Sequence, residues 1–148
     1  MEKTFIRVRS VTDIVIFALL IVFGSILVAL PTNASINITG FLMIFAGIIL
    51  ALFLKTGYKD IETGETYSKK EYYFSHAQTP QISAAIASKP ETVDLSSADK
   101  GNSIRLDVYF SKSANKAYIQ MYEYVPYRYE PCSRMYEYEM SMVGKLVH

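Results

Sequence analysis

The C-terminal half of the chain contains basic and tyrosine side chains of the kind that bind phosphates and nucleic acid bases. Its basic residues near tyrosine-rich segments are Arg105, Lys112, Lys116, Arg128 and Arg134. Arginine and lysine form charge-assisted hydrogen bonds with phosphate oxygens, and bases stack on tyrosine rings. The set predicts a site for a phosphorylated, base-containing ligand, whereas the alternative for each residue is a solvated surface charge.

One short segment brings the two kinds of side chain together. Arg128 lies between Tyr127 and Tyr129, and Pro126 and Pro131 stiffen the loop that contains them. The guanidinium could pair with a phosphate while a neighbouring ring stacks on a base. We therefore expect Arg128→Ala to weaken ligand binding while the domain remains folded. The alternative position of the pocket is near Lys69, Lys70 and His76.

The residue patterns that indicate catalysis or metal binding are missing from the sequence. Cys132 is the single cysteine, and the two histidines, His76 and His148, have no companions at metal-ligand spacing. There is no P-loop, no Gly-x-Ser-x-Gly elbow and no His-Glu-x-x-His motif. Carboxylates are plentiful in the second half, but no spacing indicates a nuclease or a cyclase. We expect a protein that is not an enzyme and that has no metal site and no cofactor.

The candidate binding residues must be positioned by a predicted antiparallel sheet. Apolar and polar residues alternate from Ser103 to Phe110, which is the pattern of a strand with one buried face. The segments that follow are a hairpin loop at Ser111–Asn115, a strand at Lys116–Val125, a loop at Pro126–Pro131 and a strand at Ser133–Val143.

The segments before this sheet predict further strands and one helix. Residues Tyr58–Tyr67 indicate a strand, a Thr-Gly turn and a return strand. Ser68 and Glu71 have the spacing of a capping box for a helix over about 69–77, although the segment could equally stay extended. Thr79-Pro80 starts a helix that ends at Ser88, and residues 91–102 are expected to form a loop. Residues 58–148 are therefore predicted to form a cytosolic α+β domain with an antiparallel sheet.

A four-residue sequence occurs twice in this domain. Met121-Tyr122-Glu123-Tyr124 and Met135-Tyr136-Glu137-Tyr138 begin 14 positions apart. We expect the two strands to face each other across the Pro126–Pro131 loop, with their tyrosines in cross-strand pairs. The repeat predicts either a purely structural tyrosine-rich face or an aromatic surface suited to stacking bases.

The first third of the chain has a different chemistry. No charged residue or histidine occurs between Ile14 and Leu54, and Pro31–Asn37 divides this stretch with turn-forming residues. Each half is about as long as the shortest helices that cross a bilayer. Residues 1–57 are therefore predicted to form a membrane domain with two transmembrane helices, at about 12–30 and 38–54.

The flanking charges predict the orientation of this helical hairpin. Lys3, Arg7 and Arg9 precede the first span, Lys55 follows the second, and the connecting loop is uncharged. Because lysine and arginine are retained on the cytoplasmic side, both termini should face the cytoplasm. The alternative, a signal peptide cleaved near Ala34, would still leave the C-terminal domain cytoplasmic. Since residues 58–148 contain 11 basic and 12 acidic groups, we expect no binding of long nucleic acid.

Small residues occur one turn apart within the predicted spans. Ser25 and Ala29 lie in the first span, and Gly47 and Ala51 lie in the second. This spacing allows close approach of helix backbones, either within the hairpin or between copies of the chain. A pore formed by these uncharged helices would be apolar, and the alternative is disruption of the lipid.

A short two-helix hairpin joined to a small cytosolic sensor domain resembles the membrane effectors of bacterial antiviral defence. The arrangement is most similar to the two-helix effectors of type III CRISPR systems, with the hairpin at Ile14–Leu54 and the sensor at Tyr58–His148. The resemblance implies that the sensor binds a cyclic oligoadenylate, with cyclic tetra-adenylate as activating ligand. It also implies that the hairpin then disrupts or depolarises the bacterial inner membrane.

The resemblance further implies a homo-oligomer in the lipid bilayer, and we expect a tetramer. A cyclic tetranucleotide repeats its phosphates and bases by rotation, so a symmetric oligomer can offer each repeat the same residues. The alternative is a structural or regulatory inner-membrane subunit whose cytosolic domain binds a protein partner through its tyrosine-rich sheet.

Overall fold

The computed structural model of the chain describes residues 3–98 and 103–148. Contacts divide it into two compact units, Arg7–Gly57 and a second unit that combines residues 3–6 with the described residues of Tyr58–His148. The first unit is a helical hairpin, and the second is an α+β domain with an antiparallel sheet. This is the fold class predicted from the sequence.

The hairpin consists of α1, Val11–Ala29, and α2, Ala34–Leu52. The Ser10 hydroxyl accepts a hydrogen bond from the Asp13 backbone N–H at 3.3 Å, and the Asn33 side chain accepts one from the Ile36 N–H at 3.1 Å. Both helices are long and apolar enough to cross a membrane. The second begins earlier than predicted, because Asn33 acts as its N-cap and leaves a shorter turn.

Glycines allow the two helices of the hairpin to approach closely. A Cβ atom on Gly24 would lie 2.7 Å from the Gly40 carbonyl oxygen, and one on Gly47 would lie 2.9 Å from Cγ1 of Ile21. Such distances are too short for real side chains, so the contact requires glycine at these positions. Gly47, one of the predicted small contact residues, therefore packs within the hairpin.

The sheet has the strand order β1-β2-β3-β4-β5-β6, and β7 also pairs with β5. The strands are β1 Phe5–Arg9, β2 Thr56–Asp60, β3 Thr66–Phe74, β4 Ile104–Ser111, β5 Lys116–Val125, β6 Arg128–Pro131 and β7 Tyr136–Glu139. The predicted strands at 103–110 and 116–125 are confirmed. The helix over 69–77 is wrong, because β3 pairs with β4 from Ser68 to Phe74 and the segment stays extended.

One face of the sheet forms the hydrophobic core. Leu106 and Val108 of β4 and Ile119 of β5 are fully buried on this face. It is covered by α3, Thr79–Ser88, and by the C-terminal helix α4, Gly144–Val147, through the buried side chains of Ile82, Ile86, Leu146 and Val147. The predicted Thr79–Ser88 helix is confirmed. Within the predicted loop, 3-10 turns occupy Pro90–Thr92 and Leu95–Ser97, and residues 99–102 lie outside the described ranges.

The arrangement after β5 differs from the prediction. Pro126 and Tyr127 alone form the turn, and Arg128–Pro131 is a strand rather than a loop. Tyr127 has a left-handed φ of 72°, which a turn this tight demands of its second central residue. The predicted strand at 133–143 is shorter, because a 3-10 turn begins at Met140.

The two copies of the repeated sequence do not face each other. The first copy pairs with β4 and β6, whereas β7 pairs with residues 116–119 of β5. The tyrosines of the two copies also lie on opposite faces of the sheet. Tyr136 and Tyr138 pack against the core cluster, while Tyr122 lies on the other face, beside Arg105. A local sequence repeat therefore does not determine how its two copies pair in the sheet.

Candidate functional site

The sheet face opposite the core is rich in tyrosines and charged side chains. Because side chains alternate along a strand, it carries every second residue of the central strands. We call it the tyrosine face, and its central residues are Tyr67, Lys69, Glu71 and Tyr73 of β3, Arg105, Asp107 and Tyr109 of β4, and Lys116, Tyr118, Gln120 and Tyr122 of β5. The helices that cover the core pack on the other side of the sheet. The side chains of the tyrosine face are therefore shielded from solvent by packing against each other.

A buried carboxylate holds two basic side chains at the centre of this face. Asp107 is only 1% exposed, and its carboxylate lies 3.2 Å from Lys69 Nζ and 2.8 Å from Arg105 Nε. Arg105 Nη2 also donates a hydrogen bond to Asp107 at 3.1 Å. The Nε contact is an ion pair without hydrogen-bond alignment. Asp107 therefore holds the guanidinium from one side.

The pKa values of this cluster follow from burial and pairing. Burial raises the pKa of Asp107, although the charges of Lys69 and Arg105 oppose the shift. Burial alone would lower the pKa of Lys69, but the hydrogen bond to Glu71 and the charge of Asp107 raise it. The hydrogen bond from Lys69 lowers the pKa of Glu71. Two cations and two carboxylates thus balance each other at this point of the sheet.

The guanidinium of Arg105 lies against two tyrosine rings. Its central carbon is 4.7 Å from the Tyr122 ring centroid and 4.8 Å from that of Tyr129. Tyr129 in turn contacts Tyr124 at 5.3 Å and Tyr73 at 6.3 Å between ring centroids. We call these five residues the Arg105 platform. Cation–π contacts and the Asp107 pair fix its geometry.

Phe5 packs against the middle of the tyrosine face. Its ring stacks on Tyr109 at 4.2 Å and meets the edge of Tyr67 at 5.2 Å. Tyr118 lies 5.8 Å away, and Tyr58 contacts the Tyr109 ring at 5.3 Å. The beginning of β1 is therefore part of this aromatic cluster.

A cavity of about 450 Å³ lies at the end of the tyrosine face that is remote from the Arg105 platform. It is lined by Lys3, Thr63, Glu65, Tyr67, Ala114, Lys116, Tyr118, Met135 and Glu137. Lys3 Nζ pairs with Glu62 at 2.7 Å and Asp60 at 3.3 Å, and Lys116 Nζ pairs with Glu137 at 2.9 Å. The cavity thus joins aromatic walls to charged groups.

The structure brings together only part of the predicted binding set. Arg105 and Tyr129 meet in the Arg105 platform, and Lys116 lines the cavity on the same face. Arg128 is 73% exposed and pairs with Glu130 at 2.5 Å. By strand alternation, Arg128 lies on the opposite side of β6 from Tyr129.

The remaining predicted residues are dispersed. Tyr127 is 98% exposed at the tip of the turn. Lys112 lies in the turn after β4, and Arg134 stacks 4.8 Å from the ring of Tyr136, which packs on the core side. These three residues do not share a site with Arg105.

Several residues of the tyrosine face lie outside the predicted binding set. Lys69, Glu71 and Tyr73 alternate along β3, and this period of two becomes visible once the segment is taken as a strand. Asp107 was assigned to the polar face, but no local signal indicates its burial. Lys3 was treated only as a flanking positive charge, since no signal placed it beside Asp60 and Glu62.

The arrangement is suited to binding. In the described residues 3–98 and 103–148, no group of three or more His, Cys, Asp or Glu side chains is placed to hold a metal ion. The Arg105 platform offers tyrosine rings together with a guanidinium, the combination that stacks bases and pairs phosphates.

Comparisons with protein-family models, curated proteins and solved structures found no match for this chain.

Proposed function

We propose that the chain is a membrane effector whose cytosolic domain binds a cyclic oligonucleotide and then changes the state of its membrane hairpin. The observation that carries this proposal is the Arg105 platform, in which a guanidinium held by Asp107 lies against Tyr122 and Tyr129. A preorganised arginine loses little conformational freedom when it pairs with a phosphate. The neighbouring rings supply stacking surfaces for bases.

The near-neutral charge of the cluster around Arg105 favours a compact ligand over a long nucleic acid. Lys69 and Arg105 are balanced by Glu71 and Asp107, so no excess positive charge attracts a polyanion from a distance. Binding must depend on a few oriented contacts with phosphates and on stacking. Cyclic tetra-adenylate, the ligand implied by the resemblance, offers both groups in each of its repeats. A symmetric tetramer would present one platform to each repeat.

The hairpin supports placement in the bacterial inner membrane. Both helices are apolar and long enough to span it, and most of their large apolar side chains are exposed, among them Phe41, Phe45 and Leu52. The positive residues that flank the spans favour a cytoplasmic location for both termini. The sheet domain would then meet a cytoplasmic messenger, and the hairpin would disrupt or depolarise the membrane.

The chain itself provides a connection from the sheet to the hairpin. Phe5 packs among the tyrosines, β1 ends at Arg9, and α1 begins at Val11 after the single residue Ser10. The strand and the first helix of the hairpin are therefore consecutive elements of the chain, separated by one residue.

The proposal is tested by titrating the full chain in lipid nanodiscs with a panel of cyclic oligoadenylates. We expect binding of cyclic tetra-adenylate and a loss of about ten- to a hundredfold in affinity for Arg105→Ala, because a charge-assisted contact is removed. Lys145→Ala, a change at an exposed residue of α4, is the control and should bind like wild type. Unchanged affinity in a folded Arg105→Ala chain would remove the platform from the site.

A protein partner is the second candidate, and the exposed tyrosines next to the tyrosine face are the observation that favours it. Aromatic residues are enriched in protein interfaces. Tyr127, at 98% exposure, and Tyr124, at 54%, extend the aromatic surface. Failure of the folded chain to bind every cyclic oligoadenylate of the panel would favour this candidate.

A further inference from the structure

We infer that the cavity beside Lys116 binds one nucleotide unit, and that Glu137 holds the phosphate-binding lysine until the ligand displaces it. This inference rests on the proposed function and extends it to a second subsite. The base would lie against Tyr67 and Tyr118, and the phosphate would pair with Lys116. Neither Tyr67 nor Tyr118 belongs to the Arg105 platform.

The inner walls of the cavity suit a planar aromatic group. Tyr67 is 3% exposed and Tyr118 is 4% exposed, and their ring centroids lie 5.7 Å apart. Among the residues that the structure describes, no hydrogen-bond partner is found for the Tyr67 hydroxyl, although Tyr67 lines the cavity. A volume of about 450 Å³ lies within the usual range for small-molecule sites. The cavity therefore offers aromatic walls and one unused polar group.

The two lysines of the cavity differ in how firmly their partners hold them. The Lys3 side chain is 15% exposed and pairs with both Asp60 and Glu62. Lys116 and Glu137 form a single pair in which both side chains are about half exposed, at 49% and 51%. Solvent weakens such an exposed pair, so Glu137 can be replaced at small cost. The phosphate monoester of adenosine monophosphate carries more charge and more acceptor oxygens than the carboxylate that it would replace, whereas a phosphodiester of a cyclic oligonucleotide carries the same single charge.

The carboxylates of the cavity restrict the class of ligand. Glu65 and Glu137 would repel a ligand that offers only negative charge. Glu65 accepts a hydrogen bond from Ser113 at 3.0 Å and retains further acceptor capacity. A nucleotide has N–H and O–H donors on its base and sugar that could pair with Glu65, and it also has a phosphate that could pair with Lys116. Inorganic phosphate has only the negative group.

Binding in this cavity would act close to the connection with the hairpin. Lys3 lines the cavity, and Phe5, two residues later, stacks on Tyr109 at 4.2 Å. Thr4, between them, accepts a backbone hydrogen bond from Ile61 at 3.1 Å. Residues 3–5 therefore line the cavity at one end and pack against the tyrosine face at the other.

The test uses the full chain in nanodiscs, with adenosine monophosphate, adenosine, inorganic phosphate and cyclic tetra-adenylate as probes. Lys116→Met should weaken binding of adenosine monophosphate about three- to tenfold, because the phosphate loses its partner. Glu137→Gln should strengthen it about two- to fivefold, because a competing carboxylate is removed. Adenosine and inorganic phosphate should bind more weakly than the nucleotide, and Lys145→Met is the matched lysine control.

The opposite signs of the two changes separate a binding role from a structural one. If Lys116 and Glu137 serve only as a surface ion pair, both variants change affinity equally or not at all, and the inference is wrong. Circular dichroism of each variant checks that the sheet remains folded.

The same experiment distinguishes failure of the subsite from failure of the proposed function. If cyclic tetra-adenylate binding responds to Arg105→Ala but to neither cavity variant, the subsite is wrong and the function stands. If only adenosine monophosphate binds, with opposite responses of the two variants, the subsite stands and the cyclic ligand is wrong. If no probe binds the folded chain, both are overturned.

Discussion

The two faces of the sheet bury neighbouring residues by opposite means. Leu106 and Asp107 are adjacent in β4, and both are excluded from solvent, at 0% and 1% exposure. Leu106 packs among apolar side chains under α3 and α4, whereas Asp107 is enclosed by Lys69 and Arg105. One strand thus serves an apolar core on one side and a charged cluster on the other.

The two faces have different roles: the core face stabilises the fold, and the charged cluster of the tyrosine face positions Arg105. Burial of apolar side chains on the core face is the main favourable contribution to folding. A buried carboxylate loses its hydration, and its ion pairs offset this cost without a large net gain in stability. The Lys69–Asp107–Arg105 cluster is therefore better explained by the orientation it imposes on Arg105 than by its contribution to stability.

The largest effect is expected for a truncation on the core face. Leu106→Ala should lower the free energy of unfolding by about 2–5 kcal/mol, because it removes buried methyl groups and leaves a void. The measurement is denaturant unfolding of the full chain in detergent, followed by the circular dichroism of the sheet. Below the transition, ligand affinity should match that of wild type. A loss under about 1 kcal/mol would contradict the assignment of Leu106 to the core.

The second prediction concerns the neighbouring residue on the tyrosine face. Asp107→Ala should lower the free energy of unfolding by about 2–3 kcal/mol, because Arg105 and Lys69 lose a buried partner. Unlike Leu106→Ala, it should also weaken cyclic tetra-adenylate binding, since Arg105 is no longer held against Tyr122 and Tyr129. Glu71→Gln is a milder change, because Glu71 pairs with Lys69 and accepts a hydrogen bond from Tyr73, and glutamine keeps an acceptor oxygen. An Asp107→Ala chain that binds normally would show that the cluster does not position Arg105.

A smaller effect is expected in the pH dependence of stability. Burial raises the pKa of Asp107, so its contribution is fully present below the ordinary carboxyl pKa of 3.8 and is lost as the pH rises through the raised value. For Asp60, burial alone would raise the pKa, but the Glu62 N–H, the Thr63 hydroxyl and Lys3 lower it. Its contribution is present above 3.8 and is lost as the pH falls through the lowered value.

The two carboxylates should therefore respond in opposite directions. In wild type, Asp107 should lower the stability as the pH rises above 3.8, and Asp60 should lower it as the pH falls below 3.8. Asp107→Asn should abolish the first decrease, and Asp60→Asn should abolish the second. Thermal unfolding of the three proteins between pH 3 and 7 measures both effects. The same pH response in both variants would contradict the assigned directions.

The elements that depend on local patterns were predictable from the sequence. Uncharged apolar runs indicated both helices of the hairpin, and strict alternation from Ser103 to Phe110 indicated β4. The Thr79-Pro80 start signal identified α3. Each of these signals lies within one segment and needs no knowledge of its partners.

The candidate site was less predictable, because it depends on pairing between distant segments. Arg105 and Tyr129 come together only because β6 folds back on β5 through the turn at Tyr127. Lys3 reaches Asp60 from the segment that precedes β1, and this segment carries no local signal, since a short polar stretch also fits a positively charged membrane flank. The sequence indicated the right kinds of side chain but not which of them meet.

The smallest effect is expected at Arg128, the residue that the sequence singled out for phosphate binding. Its pair with Glu130 is exposed, so Arg128→Ala should change the free energy of unfolding by less than about 1 kcal/mol. Because Arg128 lies across β6 from Tyr129, it does not share the tyrosine face with Arg105. Cyclic tetra-adenylate affinity should therefore fall much less for Arg128→Ala than for Arg105→Ala, in titrations under identical conditions. A larger loss for Arg128→Ala would assign ligand binding to the exposed side of β6. It would contradict the assignment of the binding site to the tyrosine face.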